Sequence, residues 1–494
     1  MDKTQQRLAN KERRIEIAFI VILTLLSFLV FFYKYWNPPA LFWDENYHIS
    51  SAEKYMNHAF FMEAHPPLGK LFIALGEYII HPNKNIDTAS FLNTDYINNV
   101  PDNYSFAGMR FFPVLFAFLC PILFFLILHR ISKNNLVSFC FSLIFILNNA
   151  LIAHFRAVML DSIQLFFILA SILCFCCLLE KRSVRASSYF FLGLLSSLAI
   201  SVKLNSAILL LLFPALYIKE KIVEKKGRKW QIRNFRDFPL KALLSVLGLA
   251  LVFCLVWQIH FSIAKTVVDN RYYGASDAYK QILSDGKTSG LKNFVIMLRD
   301  NLKYMHNYES GVPQLDVCKA DENGSSPLSW IIGGKSINYR WESDGTNTRY
   351  LYLQSNPAVW LIGLIGVLLS VSLCVSVLFF GLKIKDKRSF YYIAVFLLLY
   401  LCYMAAMLTI KRVLYLYHYF IPLTFALILS ALVLEYAFLG NFRGKKIMRI
   451  LLGIMLVSVI AFFLLFLPLT YYLPLTKETF LRIASFSWNG LKPV

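Results

Sequence analysis

Charge is scarce in this sequence. Asp, Glu, Lys and Arg make up 16 % of its 494 residues, against about 25 % in soluble domains. Acidic residues are the scarcer half, 29 against 50 Lys and Arg. Cysteine is nearly missing from the polar stretches. Only Cys318 lies in one, while Cys120, Cys140, Cys174, Cys176, Cys177, Cys254, Cys374 and Cys402 sit in apolar runs, so Cys318 has no loop partner for a disulfide. The trio Cys174, Cys176 and Cys177 has no polar companion and reads as small apolar packing. Neither long polar stretch holds a His-x-x-x-His, a Cys pair or an Asp-x-Asp string, so no metal and no other cofactor is expected. His65 with Glu63 or Glu45 is a grouping that folding could still turn into a metal site. Together these absences exclude a string of soluble domains, a disordered chain and a secreted disulfide scaffold.

What the sequence has is apolar length. Hydrophobic residues make up 57 % and aromatics 16 %, and runs long enough for the ~20 residues of a bilayer span recur throughout. The fold class is therefore an all-α polytopic membrane protein. Spans are expected near 15–33, 107–128, 136–153, 158–179, 187–202, 204–218, 242–262, 357–382, 390–410, 417–438 and 450–468, about eleven by the length rule. The net charge of +21 gathers in clusters between them, at 3–14, 130–133, 181–185, 219–241, 383–388 and 443–449. That is the distribution of cytoplasmic loops, and with few aromatics among the cations it does not suit nucleic acid. The N-terminus then lies in the cytoplasm and the C-terminus outside. Residues 187–218 are short for two spans, yet one span would put the 219–241 cluster outside; two short helices meeting around Lys203 satisfy both rules. The first span follows a basic stretch without a small-residue cleavage site, so it reads as an anchor.

Two polar segments, 34–106 and 263–356, then face outward. In the second, Leu291, Phe294, Val295, Leu298, Leu302 and Met305 recur at helical spacing beside Lys292, Arg299 and Lys303, which predicts a helix on the membrane surface. The first holds Asp44-Glu45-Asn46-Tyr47-His48 and then His65-Pro66-Pro67-Leu68-Gly69-Lys70. Adjacent helical residues point about 100° apart, so Asp44 and Glu45 do not serve one reacting atom equally. One is expected to do chemistry and the other to bind or orient. Asp44 also reads as a plain N-cap, since Ile49, Ala52, Met56 and Ala59 continue an amphipathic pattern. Pro67 opens a second helix near Leu68 and puts Lys70 in its first turn, where an anion such as phosphate is favoured.

Further charge falls at outer span ends: His154, Arg156 and Asp161 at one junction, Lys203 at the next. Such charges are expensive at bilayer depth and are functional or paired; an Arg156–Asp161 pair fixing two helices is the plainer alternative. Arg349-Tyr350, Asn356-Pro357 and the aromatic string around His418 complete the outer set, although Tyr and Trp populate interfaces anyway. Carboxylates, cations and a histidine at the lipid boundary suit transfer from a lipid-linked phosphate. Phosphate, with a second pKa near 6, is a stable leaving group. Lys and Arg can steady its charge while one carboxylate acts as base.

At these positions the sequence resembles the protein O-mannosyltransferase family of membrane glycosyltransferases, the GT-C architecture. The matching pieces are Asp44-Glu45, His65 to Lys70 as quoted, Ala107-Gly108-Met109-Arg110, Arg156 with Leu160-Asp161-Ser162, Ser201-Val202-Lys203, Arg349-Tyr350 with Asn356-Pro357, and Tyr417-His418-Tyr419-Phe420. They run in family order across most of the chain. The resemblance implies a polyprenyl- or dolichyl-phosphate mannose donor, Ser/Thr hydroxyls of exported proteins as acceptors, and inversion at the anomeric carbon. It places the catalytic acidic residue at Asp44, expected to act as base with Glu45 beside it. Placement at the outer boundary assigns the donor phosphate to His65, Lys70, Arg156, Lys203 and Arg349, and supporting or acceptor contacts to Asp161, Tyr350 and His418. The expected organisation is 1–262 as the catalytic transmembrane region, 263–356 as an outer loop with an interfacial helix, and 357–494 as C-terminal helices with a short outer tail. The second loop is too short for the β-trefoil MIR domain of eukaryotic members, which points to the bacterial branch and its cytoplasmic membrane. The related aminoarabinose transferases typically have Lys-Pro-Pro where this chain has His65-Pro66-Pro67, so lipid modification is the runner-up. A transporter is the alternative of a different class; its site would lie at the midplane between repeated halves, and no repeat is seen here.

Overall fold

The computed structural model describes residues 3–181, 183–224, 230–232, 235–319, 321–438, 442–487 and 491. Parts of two expected basic clusters, residue 182 and residues 225–229 and 233, lie outside the described residues. In chain order the helices are α1 (Lys3–Phe32), α2 (Glu45–Met56), α3 (Leu68–Ile80), α4 (Ala107–Ser132), α5 (Asn135–Ile146), α6 (Asn149–Phe155), α7 (Asp161–Leu179), α8 (Ala186–Ile200), α9 (Leu212–Lys221) and α10 (Phe238–Ile263). There follow α11 (Asp277–Ser284), α12 (Leu291–Gly311), α13 (Pro327–Trp330), α14 (Pro357–Phe379), α15 (Lys387–Thr409), α16 (Phe420–Ala437), α17 (Phe442–Thr470) and α18 (Lys477–Ser485). Two small antiparallel sheets are added: β1 (Ile222–Glu224) with β2 (Trp230–Ile232), and β3 (Ile337–Ser343), β4 (Thr348–Leu353) and β5 (Pro474–Leu475) in that order.

Among the described residues, eight helices are long and apolar enough to cross a membrane, and the pair α5–α6, bent by 59°, makes a ninth if it is one span. The two remaining expected spans, 187–202 and 204–218, are a fifteen-residue helix, α8, and a 3-10 turn (Leu204–Leu211) leading into the ten-residue α9. At ~1.5 Å per residue α8 reaches about 22 Å, short of a ~30 Å hydrocarbon core. The count of about eleven is therefore not reached by length. The two short elements do meet at Lys203, whose extended backbone (φ −147°, ψ 136°) separates them. The chain is an integral membrane protein, and its lipid face shows in the exposed Ile17, Val21, Leu25 and Leu29 of α1 and Val457 and Leu464 of α17.

The chain forms two compact units: residues 1–33, 118–154 and 314–494, and residues 34–117 and 155–313. In the first, the break between α5 and α6 is held by buried amides. Asn356 caps α14, accepting from the Ala358 and Val359 amides, and its Nδ2 donates to the Leu147 and Val459 carbonyls at 3.3 and 3.1 Å. Asn149 donates to Thr470 Oγ1 at 2.9 Å and to the Phe463 carbonyl. The bond to Leu147 serves a carbonyl that a straight helix would have used itself.

In the second unit, α8 lies against α10 through Gly193 and Gly248; a Cβ on Gly193 would come within 2.7 Å of the Ser245 carbonyl oxygen. Helix α12 differs from the expected surface helix. Met297 and Met305 are buried with Trp257, Phe261 and Tyr279, while Leu291, Val295 and Leu302 stay exposed. One face packs on protein and only the other is left for the interface.

Helix α3 meets α4 closely enough to bury Glu77. Asn83 Nδ2 donates to its Oε1 at 2.9 Å, and Oε2 has no hydrogen-bond partner among the described residues. Burial raises this carboxyl from its ordinary 4.5 to about 7, against the pull of the Asn83 bond. A raised folded value means that stability is full below the unfolded pKa and is lost as pH rises through the folded one, here from 4.5 to about 7. Glu77→Gln is expected to melt above the parent at about pH 8 and to lose that advantage towards pH 4–5. A series of thermal melts decides; parallel curves for the two proteins would show that this carboxyl ionises freely.

Candidate functional site

The loop leading to α2 is drawn into shape by one buried arginine. Arg110, in the first turn of α4, is fully buried, as is Glu45. Its Nε and Nη2 donate to the two Glu45 carboxylate oxygens at 2.8 and 2.9 Å. Nη1 donates to the carbonyls of Trp36 and Pro38 at 2.9 and 2.8 Å, and Nη2 to that of Ala40 at 3.3 Å. All five guanidinium N–H groups are thus used. Glu45 also accepts from the Val158 and Phe42 amides at 2.9 and 3.3 Å, so its oxygens are committed to the fold. Trp43 then turns sharply, with φ of +52°, into the start of α2.

Asp44 occupies the N-cap position of α2 with helical backbone (φ −73°, ψ −1°) and makes no side-chain cap bond. It is half-buried, whereas Glu45 is enclosed. The two carboxylates therefore differ in kind, one turned into the clamp and the other left at the helix start.

The second motif forms α3 where the sequence suggests. Pro67 is the N-cap, and the Leu68 amide donates to the Ser201 carbonyl at 3.0 Å, tying the helix start to the turn before Lys203. Gly69 allows this approach, since a Cβ there would lie 2.8 Å from Leu160 Cδ2 and 3.0 Å from Val202 Cγ1. Lys70 is buried and bonds to Glu63 and to Ser51 Oγ (3.0 Å). Burial pushes the Glu63 carboxyl up, and the Lys70 charge opposes it. Lys203 grips both oxygens of Asp161 at 2.9 and 2.8 Å. Asp161 is thus partnered by the lysine of the next turn. Arg156 itself donates from Nη2 to the Lys34 carbonyl at 2.9 Å.

These groups share a neighbour. Lys70, Lys203, His65 and Asp161 all act electrostatically on His48, one turn into α2. His48 is buried, and burial with the nearby lysines holds its ring well below the usual histidine range. These four lie in the second unit with His48 and act on its charge, and all but His48 stand out in the sequence. Its signal was present, since His48 follows Asp44 by four residues and the two share a helix face.

The other expected residues belong to the first unit. Arg349 pairs across the β3–β4 hairpin with Glu342, and Tyr350 is buried with its ring 4.4 Å from Phe480. His418 lies in an aromatic stack, 4.6 Å from Tyr417 and 6.0 Å from Trp330 between ring centroids. Tyr417 stacks in turn on His154, whose Nδ1 meets the Tyr339 hydroxyl at 2.7 Å. Among the described residues there is no group of three or more His, Cys, Asp or Glu placed to hold a metal ion.

Two family descriptions match the chain: Dolichyl-phosphate-mannose-protein mannosyltransferase over residues 21–267, and C-terminal four TMM region of protein-O-mannosyltransferase over residues 297–488. Similar relatives include Protein O-mannosyl-transferase 2 of Danio rerio, 27 % identical over 40 % of this chain and 25 % of that one. Dolichyl-phosphate-mannose–protein mannosyltransferase 3 of Saccharomyces cerevisiae is 26 % identical over 50 % of this chain and 33 % of its own. The matched stretch spans a third or less of these curated relatives. The structure is similar to that of the S. cerevisiae protein O-mannosyltransferase Pmt1–Pmt2 complex bound to the sugar donor, with TM-score 0.77 at 14 % identity, covering 95 % of this chain and 92 % of that one. The Archaeoglobus fulgidus oligosaccharyltransferase in the apo form is similar at TM-score 0.50 and 11 % identity, over 94 % and 57 % of the two chains.

Proposed function

Since this chain belongs to the protein O-mannosyltransferase family and has its GT-C fold, we propose that it moves mannose from a polyprenyl- or dolichyl-phosphate carrier to Ser/Thr hydroxyls of exported proteins. The reaction takes place at the outer face of a bacterial cytoplasmic membrane, with the N-terminus inside. The observation that carries this reading is that Lys70 bonds Ser51 on α2, the helix that Asp44 begins, while the start of its own helix is tied to the turn that leads into the Lys203–Asp161 pair.

Asp44 serves as base. The acceptor oxygen attacks the anomeric carbon, its proton passes to the Asp44 carboxylate, and the bond from that carbon to the phosphate oxygen breaks with its electron pair left on phosphate. Lys70, Lys203, Arg156 and His65 receive the phosphate. Both lysines already hold a carboxylate, Glu63 and Asp161, so the pocket is close to charge-balanced before the donor arrives. That balance lowers the cost of keeping one buried and one half-buried ammonium group in an empty site. It also makes the interaction with a singly charged phosphodiester one of directed hydrogen bonds as much as net attraction. Glu45 acts by holding the loop that presents Asp44.

The test is turnover by purified protein in lipid, supplied with polyprenyl-phosphate mannose and a Ser/Thr peptide. Polyprenyl phosphate released together with mannosylated peptide supports the reading. Sugar found on a glycolipid with the peptide unchanged would replace it with lipid modification, and movement of substrate across the bilayer without release would replace it with transport.

A further inference from the structure

Helix α2 carries one buried polar ring that the scheme above leaves idle. His48 is 6 % exposed, and its amide donates to the Asp44 carbonyl at 3.1 Å. Four charged or titratable groups on other elements act on it electrostatically: Lys70 on α3, His65 just before α3, Lys203 at the turn after α8 and Asp161 at the start of α7. The geometry agrees, since Lys70 Nζ lies 3.0 Å from Ser51 Oγ on α2 and the Leu68 amide ties α3 to Ser201, two residues before the Lys203 that grips Asp161. On the helix of His48 itself, Asp44 lies one turn before it, and Ser51, which holds Lys70, nearly one turn after. Nδ1 is shut off from solvent and has no hydrogen-bond partner among the described residues. A neutral imidazole carries one N–H, and an enclosed N–H without a partner forfeits a hydrogen bond. The bare lone pair therefore belongs on Nδ1 and the proton on Nε2, the ring's other polar edge.

The surroundings explain why a neutral donor belongs here. Two ammonium groups and their carboxylates already fill the neighbourhood. A third cation would repel both lysines whenever the site is empty, whereas an uncharged N–H offers a directed bond without that cost.

We infer that His48 contacts the carrier phosphate, its Nε2–H donating to a phosphate oxygen held between Lys70 and Lys203. The inference rests on the donor-phosphate reading given above. It makes His48 a binding group for the lipid phosphate, separate from the base.

Binding of farnesyl phosphate to the full-length protein in lipid nanodiscs tests it, with four variants. His48→Gln keeps an N–H near the position of Nε2 and is expected to bind within about threefold of the parent. His48→Phe keeps the ring shape without a donor, and His48→Asn and His48→Ala do not reach; each is expected to weaken binding about tenfold or more, the scale of a hydrogen bond to a charged group. A packing role predicts the opposite order, with Phe nearest the parent and Gln impaired, and that result overturns the inference. Thermal melts identify any variant that fails to fold, and the Gln–Asn comparison still decides if Phe is lost. Equal binding by all five proteins removes His48 from the phosphate and leaves the pocket standing. No binding by the parent removes the phosphate pocket itself.

Discussion

Replacing Asp44 by Asn is expected to slow mannosyl transfer about 10²–10⁴-fold, the usual cost of losing one positioned base, and to leave the melting temperature of the protein unchanged. The separation of the two effects is what makes the experiment informative. Asp44 stands at the N-cap of α2 but makes no cap hydrogen bond, so the ~1 kcal/mol that a capping side chain usually contributes is not at stake. Asn preserves the shape and removes only the ability to take up a proton near neutral pH. Donor binding is expected to survive, because the groups assigned to the phosphate sit on other elements or further along α2. The measurement is transfer to a Ser/Thr peptide beside a binding isotherm for polyprenyl phosphate. Near-normal turnover would move the base to another carboxylate, Asp161 first, since Glu45 is enclosed.

Local signals in the sequence account for much of this arrangement. Pro67 ahead of Leu68 marks the start of α3, Asn356-Pro357 marks that of α14, and the long apolar runs mark the eight long helices. The two short elements around Lys203 follow from the conflict between span length and the basic cluster after them. What local signals do not carry is partnership. Glu45 and Arg110 lie 65 positions apart and Asp161 and Lys203 42 apart, and nothing in either neighbourhood says which charge will meet which. Asp161, at the first turn of α7, is met by Lys203 from the turn after α8. Helix α12 shows the same limit, because its apolar positions are periodic whether the apolar face meets lipid or Trp257 and Tyr279. His48 was visible as a residue but not as part of the site, since its meaning comes from groups supplied by three other elements.

The second large effect is expected at Arg110. Arg110→Met should destabilise the protein by about 3–5 kcal/mol, the range for removing one partner of a buried ion pair. The reason lies in what is left behind. Glu45 keeps a buried charge, and the carbonyls of Trp36, Pro38 and Ala40 lose their donor at once. Arg110→Lys is expected to rescue little, since one ammonium with three donors cannot replace a planar group making five bonds. Glu45→Gln leaves the guanidinium without its carboxylate but should cost less than Arg110→Met, because the carbonyls of Trp36, Pro38 and Ala40 keep their donor and an amide oxygen still accepts from the Val158 amide or the guanidinium. Changing both residues to apolar ones is not expected to restore the parent, as three carbonyls and two amides would remain unserved. Activity should fall in these variants together with the melting temperature, by several degrees or more, and recover in part on cooling. Asp44→Asn should lose activity at every temperature with no such recovery. If Arg110→Met melted with the parent and was nonetheless inactive, the clamp would not be what orders this loop, and Glu45 and Arg110 would have to act on substrate directly.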